Sequence, residues 1–198
     1  MKKKYKIVNN AIDKELANFL YNYFLTKRKV VAKMIGTRYI SSDSIDFGIW
    51  NDPQALGSYS IYADIAFETL LPQIQLIVEK EIKTKLLPTY SYARLYKKND
   101  VLEKHIDRGS CEISCTLNLG GDNWSIYLEP DIEVNLTPGD MLIYKGAELE
   151  HWRNEFKGDN CGQVFLHYCN ASNIDAKKLE FDGRPFLGLP QGFIKPYD

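Results

Sequence analysis

The sequence has almost no net charge and no strong concentration of positive charge. Its 25 Lys and Arg residues are balanced by 26 Asp and Glu residues. No basic excess is therefore present to neutralise the phosphates of a nucleic acid. The short basic run from Lys2 to Lys4 is typical of a solvated terminus. A nucleic-acid partner is not indicated.

The sequence also lacks paired cysteines and long apolar runs. Its four cysteines, at positions 111, 115, 161 and 169, form no Cys-x-x-Cys motif. On one strand, Cys111 and Cys115 would lie about 13 Å apart, too far for a disulfide. Charged residues interrupt the apolar residues that follow Met1, which argues against a signal peptide. We expect a soluble cytoplasmic protein with reduced thiols and no membrane partner.

Length and composition are typical of one globular domain. The chain has 198 residues, of which 44% are hydrophobic and 26% charged. We interpret residues 1–198 as a single domain in three parts. Residues 1–88 form a mostly helical buttress, residues 89–170 form a β core, and residues 171–198 form a C-terminal tail. Gly and Pro in the tail suggest that it wraps the β core or covers its open end.

The first part of the chain has the apolar spacing of helices. This spacing predicts a helix over residues 8–26, with Asp13 as its N-cap. β-Branched and aromatic residues over 30–40 favour a strand or two. A second amphipathic helix is predicted over 60–85, where Pro72 should kink it or divide it.

From Pro88 onward the apolar pattern changes to period two, which predicts strands. Over 90–96 the alternation places three tyrosines and Arg94 on one face. Over 111–119 it separates a polar face from an apolar one. Short strands divided by Gly and Pro turns predict a β-sandwich or barrel with the helices packed outside.

The three histidines provide the strongest chemical signal. His105 and Asp107 form a His-x-Asp pair, whose side chains point to the same side of an extended strand. His151 lies far enough downstream for several strands to fold back and bring it to the same point. Two histidines and one carboxylate on one face of a metal are the facial triad of non-haem ferrous oxygenases. A surface His–Asp pair and a packing histidine would give the same pattern, so the spacing alone leaves both interpretations open.

An ordered set of segments makes this pattern more specific. The segments are Tyr90–Tyr96, His105–Ser114, Thr116–Leu119, Trp124–Tyr127, Pro138–Tyr144, His151–Arg153 and Val164–Tyr168. In this order they resemble the iron(II)/2-oxoglutarate-dependent dioxygenases, and specifically the prolyl 4-hydroxylase-like branch of that superfamily.

The resemblance implies a mainly β fold with flanking α: a double-stranded β-helix, or jelly-roll and cupin-like barrel, buttressed by N-terminal helices. It implies Fe(II) bound by His105, Asp107 and His151, with 2-oxoglutarate as cosubstrate. The implied reaction is hydroxylation of an unidentified small molecule or peptide side chain, with succinate and carbon dioxide as coproducts. Two alternatives stay open: an iron enzyme of this fold that does not use 2-oxoglutarate, and a non-catalytic binding module. The sequence also leaves the oligomeric state open.

One position departs from the family's pattern. The family usually binds the distal carboxylate of 2-oxoglutarate through an Arg or Lys about ten residues after the second histidine, where this chain has Cys161. Arg153 follows His151 by two residues, so a continuing strand would direct both side chains to one side. Arg94 shares a strand face with a tyrosine at position 96. These two arginines are the preferred replacements, and Lys145 is a third candidate.

Three neutral residues complete the predicted 2-oxoglutarate site: Tyr96, Asn118 and Gln163. His167 alternates with Gln163 on the closing strand, so it either lines the pocket or packs in the core. Residues 35–59 and 97–104 are the predicted substrate-facing loops.

Overall fold

A computed structural model describes residues 4–193 of the chain. The strands are β1 (Tyr5–Val8), β2 (Tyr59–Tyr62), β3 (Leu86–Lys97), β4 (Leu102–His105), β5 (Ile113–Gly121), β6 (Ile126–Leu128), β7 (Ile132–Val134), β8 (Met141–Tyr144), β9 (His151–Arg153) and β10 (Asn160–Asn170). The helices are α1 (Lys14–Gly36), α2 (Ile65–Glu68), α3 (Leu70–Ile82) and α4 (Ala176–Leu179). Lys2 and Lys3 of the basic run, and residues 194–198 of the predicted tail, lie outside the described residues.

The strands form two antiparallel sheets. The larger sheet has the order β1-β8-β5-β10-β3-β2, and the smaller has the order β4-β9-β6-β7. Each strand pair within these sheets is antiparallel. This mainly β architecture with flanking helices confirms the predicted double-stranded β-helix.

The apolar face of the large sheet packs against the helices. Alternate residues of β5, such as Cys115 and Leu117, share one buried cluster with Phe24 of α1 and Leu71 and Ile74 of α3. The opposite, more polar face of the same sheet is directed into the barrel, where tyrosines and Arg94 line a cavity. The period-two pattern thus separates a structural face from a site-forming face.

The N-terminal helix is longer than the sequence pattern predicts. Asp13 caps it as expected, since its carboxylate accepts a hydrogen bond from the Leu16 amide at 2.6 Å. The strand predicted over 30–40 is wrong, because α1 continues to Gly36. Burial of Val31 in the core provides tertiary packing that outweighs the β propensity of this segment.

The second predicted helix is divided, as Pro72 suggested, although its start is a strand. Residues 59–62 form β2, and α2 and α3 meet at Thr69. Pro72 lies in the first turn of α3. The N–H groups of this turn have no acceptor within the helix, so the missing N–H of Pro72 costs no hydrogen bond. The segment over 1–88 therefore contributes β1 and β2 to the large sheet in addition to its helices.

Within residues 4–193, no helix combines the length and the apolar character needed to cross a membrane. All four cysteines are buried and none is in a disulfide.

Candidate metal centre

Two neighbouring strands bring the predicted ligands together. β4 and β9 pair with His105 opposite His151, and the centroids of the two imidazole rings lie 4.3 Å apart. Asp107 follows β4, and its amide donates a hydrogen bond to the Gly146 carbonyl at 2.8 Å. One ligand atom from each of these three side chains lies within 4.8 Å of the other two.

Backbone carbonyls set the tautomer of both histidines. Nδ1 of His105 lies 2.7 Å from the Glu103 carbonyl oxygen, and Nδ1 of His151 lies 3.0 Å from the Leu149 carbonyl oxygen. Because a carbonyl only accepts hydrogen bonds, each Nδ1 holds the proton and each Nε2 keeps its lone pair. Both Nε2 atoms face Oδ1 of Asp107, at 3.8 Å and 3.6 Å.

A serine on β5 orients the carboxylate. The Ser114 hydroxyl donates a hydrogen bond to Oδ2 of Asp107 at 2.6 Å and lies 3.0 Å from Nδ1 of His167. Since Ser114 has a single proton, it accepts the hydrogen bond from His167. Oδ1 of Asp107 is left for the metal. The alternation over 111–119 places Ser114 on the polar face of its strand. This was the only feature of the sequence that could have identified Ser114 as a residue of the site.

The charge states suit a metal centre. Burial alone would raise the pKa of the Asp107 carboxyl, but the neighbouring His151 and His167 rings and the Ser114 hydroxyl hold it well below its usual range. Burial, together with the nearby His151, lowers the pKa of His105. Burial lowers the pKa of His167 to about 4. The centre thus presents an ionised carboxylate and a neutral His105 ring, the forms that bind metals.

These donors fit one divalent ion with open positions, because two imidazole nitrogens and one carboxylate oxygen converge from one side. A second group of ligand atoms, from Asp107, Cys111 and His167, shares the same carboxylate. Burial raises the pKa of the Cys111 thiol to about 11, so it stays protonated and binds a metal poorly. Of the two groups, His105, Asp107 and His151 are therefore the better candidates to hold a metal ion.

The metal centre opens into a cavity of about 970 Å³ between the two sheets. Tyr90, Tyr92, Arg94 and Tyr96 all line it, as the alternation over 90–96 predicts. Tyr144, missed as a site residue, also lines it, with its hydroxyl 3.5 Å from Nε2 of His151.

The rim of the cavity comes from distant parts of the chain. The predicted loop over 35–59 contributes residues 45–46, 48–49 and 52–54, whereas only Leu102 lines the cavity from the predicted loop over 97–104. The C-terminal segment contributes Gly188, Pro190 and Gln191. His167 also lines the cavity.

Each of the three guanidinium nitrogens of Arg94 is hydrogen-bonded to another group of the protein. Its Nε donates to the Ser60 hydroxyl at 3.2 Å, and its Nη1 donates to the Tyr96 hydroxyl oxygen at 3.0 Å. Its Nη2 forms an ion pair with Asp52 and bonds to Gln54 at 3.2 Å. Asp52 thereby neutralises the charge of Arg94 inside the barrel.

The other two cations predicted near the site differ in their surroundings. Arg153 is only 1% exposed, and its Nη1 donates to the Trp124 carbonyl. Its Nε and Nη2 have no hydrogen-bond partner among the described residues. Lys145 pairs with Glu148 at 3.0 Å, and neither Lys145 nor Arg153 is part of the cavity lining.

Asn118 and Gln163 lie opposite each other on β5 and β10. The Asn118 amide donates to the Leu136 carbonyl at 2.6 Å, and the Gln163 amide donates to the Cys161 sulfur at 3.1 Å. The amide oxygens of both have no partner in the described part of the chain. Both residues are buried. Neither is part of the cavity lining.

Comparisons by sequence find no relatives of this chain: neither a protein-family model nor a curated protein matches it. Comparison with solved structures does find similar folds. A prolyl-4-hydroxylase from Pseudomonas putida aligns with a TM-score of 0.55 at 13% identity, covering 85% of this chain and 94% of that one. HygX from Streptomyces hygroscopicus, solved with nickel and 2-oxoglutarate bound, aligns with a TM-score of 0.60 at 11% identity, covering 90% and 91%.

A third similar structure is SnoN, described as a non-haem α-ketoglutarate-dependent epimerase from nogalamycin biosynthesis. It aligns with a TM-score of 0.61 at 14% identity, covering 85% of this chain and 78% of that one. At these identities the likeness shows a shared fold. The double-stranded β-helix predicted from the sequence is thus a fold that this chain shares with these three proteins.

Proposed function

We propose that the protein is an Fe(II)- and 2-oxoglutarate-dependent oxygenase. The observation that supports this most directly is the arrangement of His105, Asp107 and His151. Their free Nε2 and Oδ1 atoms converge at the mouth of an interior cavity, and backbone carbonyls hold both histidines in the tautomer that binds metal. The remaining positions of the ion would face the cavity.

Each part of the site has a role in this function. When bound, ferrous iron would activate dioxygen, the oxidant, and 2-oxoglutarate would supply two electrons as it is decarboxylated to succinate and carbon dioxide. The three ligands would hold the metal, and Ser114 and His167 keep Asp107 oriented toward it. The tyrosines of β3 and the C-terminal segment enclose the cavity, which positions the substrate and excludes water.

We infer that the substrate is a small molecule and that the reaction is a hydroxylation. A cavity of about 970 Å³ is within the usual size range of small-molecule sites. The P. putida structure, named a prolyl-4-hydroxylase, supports hydroxylation, whereas SnoN, named an epimerase, shows that other reactions occur on this fold. The predicted cytosolic location is part of the same proposal, and the four free, buried cysteines support it.

The test uses the visible charge-transfer band that forms when a 2-oxo acid chelates ferrous iron. Under anaerobic conditions, ferrous iron and 2-oxoglutarate are added to the wild-type protein, to His151→Ala and to the surface control Lys145→Gln. We expect the band in the wild type and the control but not in His151→Ala. Iron binding without a band would instead support the alternative, an iron enzyme that does not use 2-oxoglutarate. No iron binding at all would contradict the metal centre.

A further inference from the structure

Arg153 is a buried cation whose charge no described residue neutralises. Its side chain is 1% exposed, and two of its three guanidinium nitrogens, Nε and Nη2, have no hydrogen-bond partner among the described residues. No carboxylate of residues 4–193 forms an ion pair with it. An unpaired buried charge is strongly destabilising, so this guanidinium is suited to bind an anion that the protein chain does not supply.

We propose that Arg153 binds the distal carboxylate of 2-oxoglutarate, in place of the cation that is absent at Cys161. This inference rests on the proposed function. His151 and Arg153 are two residues apart on β9, so their side chains point to the same side of the strand, about 7 Å apart along it. Arg153 lies behind the cavity lining, which Tyr96, Tyr144 and His151 form on this side. A five-carbon dicarboxylate held at the metal would direct its far carboxylate along β9 toward the guanidinium.

The charge of Arg153 also reaches position 161. Burial raises the pKa of the Cys161 thiol, and this charge opposes the rise.

Tyr96 provides a second donor for the same carboxylate. It lies opposite Cys161 on the neighbouring strand, and its ring contacts Trp124 with a centroid distance of 4.7 Å. The Arg153 guanidinium lies 5.0 Å from the same Trp124 ring. Because Arg94 donates to the Tyr96 oxygen at 3.0 Å, the hydroxyl proton of Tyr96 is directed elsewhere. Arg94 therefore positions the Tyr96 hydroxyl, and its own charge is neutralised by Asp52.

The same arrangement explains why position 161 is a small neutral residue. Cys161 is completely buried and lies within the electrostatic range of Arg153. A second cation there would add a like charge to a site with a single carboxylate to bind. The cation that the family's pattern places on β10 is thus provided by Arg153 on β9. The small side chain of Cys161 leaves space for the guanidinium.

The experiment compares two 2-oxo acids of equal length. 2-Oxoglutarate ends in a carboxylate, and 2-oxopentanoate ends in a methyl group. Each is titrated anaerobically into ferrous protein, with the charge-transfer band as the readout, so no turnover is needed. We expect the wild type and Lys145→Gln to prefer 2-oxoglutarate by about 100-fold, as expected for charge-assisted hydrogen bonds in a buried site. Arg153→Gln should lose that preference while it still binds 2-oxopentanoate as the wild type does.

A charge-relocation variant keeps the test decisive if Arg153→Gln folds poorly. In Arg153→Gln/Cys161→Arg the cation returns to β10, and we expect the preference for 2-oxoglutarate to recover. A preference that persists in Arg153→Gln, or a wild type that binds the two acids equally, would overturn the assignment of Arg153. A wild type that gives no band with either acid would instead overturn the proposed function. The two failures are therefore distinguishable.

Discussion

The hydroxyl of Ser114 donates a hydrogen bond to Oδ2 of Asp107 at 2.6 Å. It is also 3.0 Å from Nδ1 of His167, so a chain of hydrogen bonds links a buried histidine to the metal-binding carboxylate. The chain leaves Oδ1 of Asp107 directed at the Nε2 atoms of His105 and His151. The orientation of this carboxylate thus depends on residues of the large sheet that are not themselves candidate metal ligands.

Removing the Ser114 hydroxyl should weaken metal binding. In Ser114→Ala the Asp107 carboxylate loses the bond that orients it, and we expect ferrous iron affinity to fall about 10- to 100-fold. Anaerobic titration with a competing chelator measures the affinity. The matched control is Ser91→Ala, because the Ser91 hydroxyl is buried without a partner and does not line the cavity. Equal affinities in the wild type and Ser114→Ala would contradict the orienting role.

A methyl group at Gly146 should damage the centre without changing a ligand. A Cβ there would lie 2.3 Å from Oδ2 of Asp107 and 2.3 Å from Oγ of Ser114, so both side chains must move. We expect Gly146→Ala to bind iron at least as weakly as Ser114→Ala. Gly109→Ala is the control, since its Cβ would meet nothing within 4 Å. Wild-type iron affinity in a folded Gly146→Ala protein would contradict this packing.

The C-terminal segment is held over the barrel by a buried ion pair. Oε1 of Glu68, at the end of α2, lies 2.7 Å from Nη2 of Arg184, and both side chains are buried. Glu68→Gln leaves the Arg184 charge unpaired, which should lower the free energy of unfolding by about 3–5 kcal/mol. Asp175→Asn, which breaks an exposed pair with Lys178, should cost less than about 1 kcal/mol. Urea unfolding of both variants checks this, and similar losses in the two would contradict it.

His167 should make the apoprotein less stable as the pH falls. Its pKa is lowered by burial from 6.5 to about 4. Between these values the unfolded chain binds a proton that the folded one does not, so acidification favours unfolding by up to about 1.4 kcal/mol per pH unit. His167→Gln should reduce this slope between pH 7 and pH 5. Because the pKa of His105 is also lowered, part of the slope should remain. Urea unfolding in EDTA measures it, and an unchanged slope would argue against a neutral His167.

The fold was predictable where the local pattern and the tertiary environment agree. The alternation over 90–96 correctly separates the cavity face from the helix-covered face, because one side of that strand meets apolar helices and the other meets the site. The pattern over 30–40 was misleading. There, the tertiary burial of Val31 extends α1 through residues with high strand propensity.

The sequence predicts the candidate metal ligands, but it does not predict the different surroundings of the two arginines. His105 and Asp107 are local neighbours, and their His-x-Asp spacing is visible. The difference between Arg94 and Arg153 depends on Asp52, which pairs with Arg94 from 42 positions away. No local pattern indicates that contact. Likewise, only the folded structure shows that Ser114 bonds to Asp107.

Turnover in air is the decisive experiment for a 2-oxoglutarate-dependent oxygenase. Wild-type protein, His151→Ala and Lys145→Gln are each incubated with ferrous iron, 2-oxoglutarate and oxygen, and succinate and carbon dioxide are quantified against iron-free samples. We expect slow, iron-dependent formation of both products in equal amounts by the wild type and Lys145→Gln, and none by a folded His151→Ala. Absence of succinate from a wild-type protein that binds both iron and 2-oxoglutarate would contradict the proposed function, as would equal formation by His151→Ala.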